Sequence, residues 1–289
     1  MRSVRSWRRL RFLAVGGAVV LLAIACAVLA PVLSPHDPYA QAVSVRLLPP
    51  VWESGGSWTH PLGTDPLGRD LLSRIIYGAR ISISAGALAV AVSMVLGVLM
   101  GLLAGYYRGT IDTVISSLVD VILAFPFLLL ALAAVAVVGP GFGNMVIVLG
   151  VTGWPIYTRV VRAETLKYRE REFVQAARAL GLGSGRIIRA HVLPNLLNAI
   201  IVMASLEVAR MIILESFLSF LGLGIQPPIP SWGGMLGEGR VYMLSHWWLA
   251  TFPGLAIFLT TLGINLFGDG LRDVLDPHRV LTPAGTRVE

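Results

Sequence analysis

The sequence predicts an all-α membrane protein with six transmembrane helices and both termini in the cytoplasm. Three observations carry that prediction. Hydrophobic residues make up 55% of the 289 and charged residues only 13%, where a soluble domain carries about 25% charged. Charge-free runs occur at 12–36, 81–107, 121–158, 216–237 and 241–268, and a helix crossing about 30 Å of hydrocarbon needs roughly 20 apolar residues. Basic residues concentrate in alternate connecting pieces, as they do on the cytoplasmic side of a membrane.

The elements follow in order. The first span is the run 12–36. Arg8-Arg9 ahead of it resembles an export signal, with Cys26 as a lipidation point. The apolar run continues past Cys26 to Leu33, however, and Ala23 is a poor match for the usual Leu before such a Cys, so a retained span is expected. Segment 61–80 reads as an interfacial helix on the outer surface, with Asp65 as its cap and Pro66 in its first turn. Leu67, Leu71, Ile75 and Ala79 share one face, with Arg69, Asp70 and Arg74 on others. The second span is 81–107. The run 121–158 is too long for one crossing and is broken by Gly139-Pro140-Gly141-Phe142-Gly143-Asn144. It gives a third span starting near Thr113, which Pro126 kinks, and a fourth after the turn. A fifth begins near Leu196 and runs to about Gly222, and the sixth is 241–268.

Charge tests the parity. With the N-terminus inside, pieces 1–11, 105–112, 159–195 and 271–289 hold 17 of the 23 basic residues, and pieces 34–80 and 223–247 hold five. The net charge of +7 therefore reports orientation, and no nucleic-acid partner is expected. The single Cys excludes a disulfide framework within the chain. The chain divides into 1–79 (tail, first span and outer segment), 80–273 (transmembrane domain, with cytoplasmic loop 159–195) and the tail 274–289.

Within that loop, Phe173, Ala177 and Leu180 share one helical face, and the alanines keep the helix slim enough to seat in a partner's groove. Gly181, Gly183 and Gly185 then end it. Ser184 caps a second short helix, which stops before Pro194. A basic loop lying on lipid headgroups has the same composition, and spacing alone leaves both readings open. The glycines do not form a phosphate-binding loop: the one lysine, Lys167, follows Leu166, so a Gly-Lys-Ser/Thr motif is absent and any ATP is bound by another subunit.

The stretch Gln175-Ala176-Ala177-Arg178-Ala179-Leu180-Gly181 with Leu193-Pro194 resembles the coupling loop of ABC-importer permeases, written E-A-A-x3-G-x9-I-x-L-P. Gln175 replaces the Glu and His191 the Ile. Over nearly its whole length the chain resembles the C-type permease subunit of dipeptide/oligopeptide ABC importers. The other blocks that carry the likeness are His60–Asp70 with Ile75–Arg80, Glu215–Gly224 with Gln226–Gly234, and Gly268–Pro277. The resemblance implies a type I ABC-importer permease architecture in a bacterial cell membrane. It implies a second, similar permease, two ATPase subunits that carry ATP and Mg, and an extracytoplasmic binding protein delivering peptide. It gives Phe173, Gln175, Ala176, Ala177, Leu180, Gly181, Leu193 and Pro194 as the coupling residues. Such permeases also serve nickel chelates or glutathione, and the binding protein sets that choice.

Four charges lie in or near spans: Asp120, Glu207, Arg210 and Glu215. Each costs roughly 2.5–3.5 kcal/mol on insertion scales. Glu207 and Arg210 are three apart and pair on one helix face; the alternative for all four is a place along the translocation pathway. A stand-alone secondary transporter would use the carboxylates to carry protons and leaves the coupling loop unexplained. An intramembrane protease is excluded by the absence of His-Glu-x-x-His and of the Gly two residues before Gly268-Asp269. Pro227, Pro228 and Pro230 stiffen an outer loop where Trp232 is expected as an interfacial anchor, and Trp247 and Trp248 as part of an aromatic belt.

Overall fold

The computed structural model describes residues 2–275, with side chains from residue 12 onward. Among the described residues every regular element is helical: α1 (Arg2–Val28), α2 (Ala30–Leu33), α3 (Leu71–Tyr107), α4 (Gly109–Ala124), α5 (Phe127–Val138), α6 (Phe142–Arg169), α7 (Glu172–Ala179), α8 (Ser184–Ile187), α9 (Leu193–Phe220), α10 (Trp232–Gly239) and α11 (Trp248–Leu275). Four helical stretches are long and apolar enough to cross a membrane: α3, α6, Ser184–Phe220 and α11. The pair α4 and α5 qualifies as one bent span, and the apolar part of α1, Phe12–Val28, falls just short. The C-terminal tail from residue 276, including Asp276-Pro277 of the fourth block, lies outside the described residues.

The centre of the bundle is α3 laid against α6. Ala85, Ala89, Ser93, Gly97, Gly101 and Gly105 recur every four residues along α3 and are all buried, so a ridge of small side chains lets α6 approach closely. A Cβ added at Gly101 would lie 2.7 Å from Val161 Cβ, and one at Gly105 the same distance from Thr165 Cβ; at Gly97 it would meet Tyr157. The backbones are near enough for side chains to bond across. Ser93 Oγ donates to the Gly150 carbonyl at 2.8 Å and Thr158 Oγ1 to that of Gly97 at 3.2 Å. The remaining helices pack around this pair. α9 meets α3 where Ile212 sits on Gly86, and α1 meets α11 where Gly16 abuts Phe267 and Gly263 abuts Val19.

Several expectations are corrected. The first apolar run does not hold one helix to residue 36: α1 ends at Val28, and α2 restarts with Pro31 in its first turn, because proline cannot donate to the carbonyl four residues back. Segment 61–80 is not a surface helix capped by Asp65. Residues 61–70 form turns, and α3 starts at Leu71 with Asp70 as N-cap, accepting from the Ser73 N–H at 2.8 Å. Asp65 is buried instead, in an ion cluster with Arg69, Arg74 and Glu238. Arg69 Nη2 and Arg74 Nη1 reach Glu238 Oε2 at 3.0 and 2.8 Å, and both arginines also bond Asp65. Charges expected on exposed faces thus clamp the entry to α3 against α10.

At Pro126 the third span is broken through 90° rather than kinked, since proline pushes the preceding Phe125 into extended backbone (φ −91°, ψ 139°). The glycine turn before α6 is as expected, with Gly139 and Gly141 at φ +93° and +135°. Trp232 and Trp248 are buried rather than interfacial. Trp232 Nε1 donates to the Ile75 carbonyl at 2.9 Å, and Trp248 packs with Leu71, Met235 and Leu249. Trp247 stays partly exposed, donating to Glu53.

Two stability predictions follow from these contacts. Gly101→Val forces a side chain into Val161, and overpacking of that kind costs about 1–3 kcal/mol; thermal unfolding of the detergent-purified chain should shift down accordingly. Glu238→Gln removes one of the two carboxylates that face Arg69 and Arg74, while Asp65 stays paired with both, a loss of about 1–3 kcal/mol. It should destabilise more than Glu238→Asp, which keeps the charge.

Candidate coupling site

The loop between α6 and α9 is built on the far ends of the central pair. Leu102 and Tyr106 of α3 and Val161 of α6 form an apolar floor with Val174, Ala177, Ile187, Val192, Leu196 and Ile200. α7 presents Val174 and Ala177 to that floor, and both are buried. The face read from the sequence is therefore split. Ala177 points inward, while Phe173 and Leu180 are 44% and 81% exposed, beside exposed Gln175, Ala176 and Gly181. Val174, which spacing placed on no functional face, is what anchors the helix.

α7 ends in a Schellman motif. Gly181 takes φ +80°, the left-handed region that glycine enters without steric cost. The Leu182 N–H then donates to the Ala177 carbonyl and the Gly181 N–H to that of Arg178, at 3.1 and 3.0 Å. Gly183 and Gly185 do not share that role: Gly183 is the extended N-cap of α8, Gly185 lies within it, and Ser184 makes no side-chain cap bond. Pro194 does not stop the second helix either. A π-helical segment, Ile188–Val192, leads into α9, whose first turn holds Pro194. Proline breaks the α hydrogen-bond ladder, and the wider π turn carries the helix past it. Leu193 is half-buried and Pro194 exposed.

Side chains brace the knob from within. Arg169 and Arg178 both lie over the Tyr106 ring, at 5.9 and 5.7 Å from its centre, and the rings of Phe173 and His191 are 6.5 Å apart. Gln175 Nε2 donates to the Glu170 carbonyl at 3.2 Å, so the amide at the motif's acidic position is turned toward its own loop. Glu170, Gln175, Arg178 and Ala179 line an open depression on the surface.

The four in-span charges do not gather at one site. Asp120 pairs with Arg159 at 2.7 Å on the exposed side of the bundle. Glu207 and Arg210 pair at 2.8 Å, as their spacing predicts, and the Arg210 guanidinium lies 4.8 Å from the centre of the Phe127 ring. Glu215 is fully enclosed, accepting from Ser219 Oγ at 2.8 Å and Ser216 Oγ at 3.3 Å. A further pair, Arg162 to Asp112, ties α6 to α4. Sequence spacing gave no sign of it, nor of the buried cluster around Asp65.

Among the described residues the chain is a bundle of helices, several long and apolar enough to cross a membrane, with a braced two-helix knob at one end. Residues 97–280 match the family model "Binding-protein-dependent transport system inner membrane component", and residues 2–50 match "N-terminal TM domain of oligopeptide transport permease C". The chain is 46% identical over 265 residues to a di/tripeptide transport system permease protein of Pseudomonas aeruginosa, covering 91% of this chain and 88% of that one. It is 43% identical to a dipeptide transport system permease protein of Bacillus subtilis (94% and 84%). It is 44% identical to a glutathione transport system permease protein of Pectobacterium atrosepticum (96% and 93%). Its fold is similar to that of the MetNI methionine ABC transporter in an inward-facing conformation, with TM-score 0.59 over 71% of this chain and 98% of that one at 18% identity.

The chain belongs to the family of inner-membrane components of binding-protein-dependent transport systems. It is a multi-pass permease subunit of an ABC importer and not itself an enzyme.

The packing of α7 separates anchoring from exposure. Val174→Ala, at a fully buried side chain, should cost about 2 kcal/mol of stability. Leu180→Ala should leave the unfolding midpoint unchanged.

Proposed function

We propose that the chain forms half of the translocation pathway of an ATP-driven importer of di- and oligopeptides, and that loop 159–195 passes the motion of an ATPase into the bundle. The observation that carries this is the exposed edge of α7. Phe173 and Leu180 are large apolar side chains left bare on a helix otherwise pinned by Val174, Ala177 and the Gly181 turn. A partner's groove is what such an edge fits. Leu193 and Pro194 follow at the start of α9, so a push on the knob enters that helix directly.

In this reading the chain crosses the membrane six times with both termini inside. α1, α3, the bent pair α4 and α5, α6, α9 and α11 supply the crossings, and the basic loops keep the knob in the cytoplasm. Residues 80–273 form the transmembrane domain, 1–79 the preceding tail, span and outer segment, and 274–289 a cytoplasmic tail. A second permease completes the pathway, two ATPase subunits bind ATP and Mg, and an extracytoplasmic binding protein delivers the peptide. Peptide is supported by the names of the Pseudomonas and Bacillus relatives. The glutathione permease of Pectobacterium, at nearly equal identity, supports glutathione, itself a small peptide, as the second reading, and a nickel chelate is the other alternative for a permease of this class.

Of the candidate pathway residues, Glu207 and Arg210 serve this reading best, being partly open on α9, whereas Glu215 is enclosed and Asp120 faces outward beside Arg159. A stand-alone proton-coupled carrier leaves the braced knob and its exposed edge unexplained.

The test is Gly181→Val in the complete importer. Valine is strained at φ +80°, so the α7 turn is lost while the anchors of the bundle remain. The expected result is an importer of normal abundance whose ATP hydrolysis no longer drives peptide uptake. Uptake at the wild-type rate from normally expressed protein would remove the coupling assignment.

A further inference from the structure

At the opposite end of α3 from the knob, three side chains from separate stretches converge. His36 follows α2, His60 lies in the turns before α3, and Asp70 is the N-cap. One donor atom from each lies within 4.8 Å of the other two. His60 Nδ1 is 2.9 Å from Asp70 Oδ1, His36 Nδ1 is 3.8 Å from Asp70 Oδ2, and the two imidazole rings lie 4.7 Å apart at their centres, tilted by 33°. We propose that His36, His60 and Asp70 form a binding site for a divalent transition-metal ion of the zinc class.

The spacing has room for a cation: donor atoms about 2.1 Å from a tetrahedral ion stand about 3.4 Å from one another, and the three here all lie within 4.8 Å of one another. At 3.8 Å His36 makes no hydrogen bond to the carboxylate, so hydrogen bonding alone does not explain the nitrogen directed there. Two imidazoles with one carboxylate suit zinc and its neighbours, whereas magnesium and calcium take oxygen ligands.

The surroundings hold the donors in place. Asp70 Oδ2 accepts from the Ser73 N–H at 2.8 Å and from Ser73 Oγ at 2.7 Å, which leaves Oδ1 facing His60. The same hydroxyl accepts from the His36 N–H at 3.0 Å, so one buried serine orients both the carboxylate and the backbone of a histidine. Hydrogen bonds of this kind fix ligands at metal sites. Asp70 is buried, His60 mostly so, and His36 is 39% exposed at its side chain, giving an ion a way in and a water room as fourth ligand.

A bound ion would staple the end of the first apolar helix and the turn segment to the start of α3. The test uses the full chain purified in mild detergent with the subunits that accompany it, stripped with chelator and titrated with zinc and with cobalt. The comparison is a His36→Gln, His60→Gln double variant, in which the same companions give the same background. The expected result is one zinc per chain beyond what the double variant retains, and visible cobalt bands of a four- or five-coordinate ion that the variant lacks. Equal zinc uptake by both proteins, or the absence of those bands from the unaltered chain, overturns the proposal. Should the double variant not fold, His36→Gln alone, at an exposed side chain, gives the same comparison.

Discussion

The close approach of α3 and α6 is the constraint on which the rest of the structure depends. In lipid, helices gain little from hiding apolar side chains, because the tails are equally apolar; packing density and short polar contacts hold them together. The six small residues from Ala85 to Gly105 supply that density. Once α6 is seated, both ends of the pair become platforms. Tyr106 and Val161 carry the knob at one end, while at the other Gly78 receives Trp232 of α10, whose indole bonds the Ile75 carbonyl. The knob is thus fixed to both helices and α10 to α3, about 42 Å apart from Gly78 to Tyr106 at 1.5 Å per residue.

The second rule is that charge turned inward is answered from inside the chain. Asp65, Arg69, Arg74 and Glu238 pair with one another across a sequence gap of more than 160 residues, and Glu215 is met by serines on its own helix. Outward the pattern reverses: Leu21, Leu22, Val114 and Val137 are all more than half exposed, which suits contact with lipid or a companion subunit. Burial in this molecule therefore sorts side chains less by polarity than by whether a partner is at hand.

Much of this was legible in the residues. Apolar runs marked the helices, Gly139–Asn144 marked the turn before α6, and Glu207 to Arg210 marked a pair, because each signal is local. Failures came where a local signal met a distant partner. Four-residue spacing over 61–80 is genuine, yet its first half is pulled into turns when Arg69 and Arg74 find Glu238. The face of α7 was misassigned because Val174 is recognisable as an anchor only once Leu102 and Tyr106 lie beneath it. The repeat of small residues from 85 to 105 was present to be read, but glycine and alanine carry no charge and little bulk, and their meaning lies in the helix that presses on them.

The π-helical segment Ile188–Val192 has a mechanical consequence. It joins α8 to α9 without a loop, so the path from Ser184 to Phe220 is one continuous helical stretch. A flexible joint there would absorb a small displacement of the knob before any was passed on. Under the coupling proposed above, a continuous helix would carry it toward the far end, where Ser216 abuts Gly233 of α10. Val192, Leu196 and Ile200, set in the apolar floor, hold that stretch where it leaves the knob.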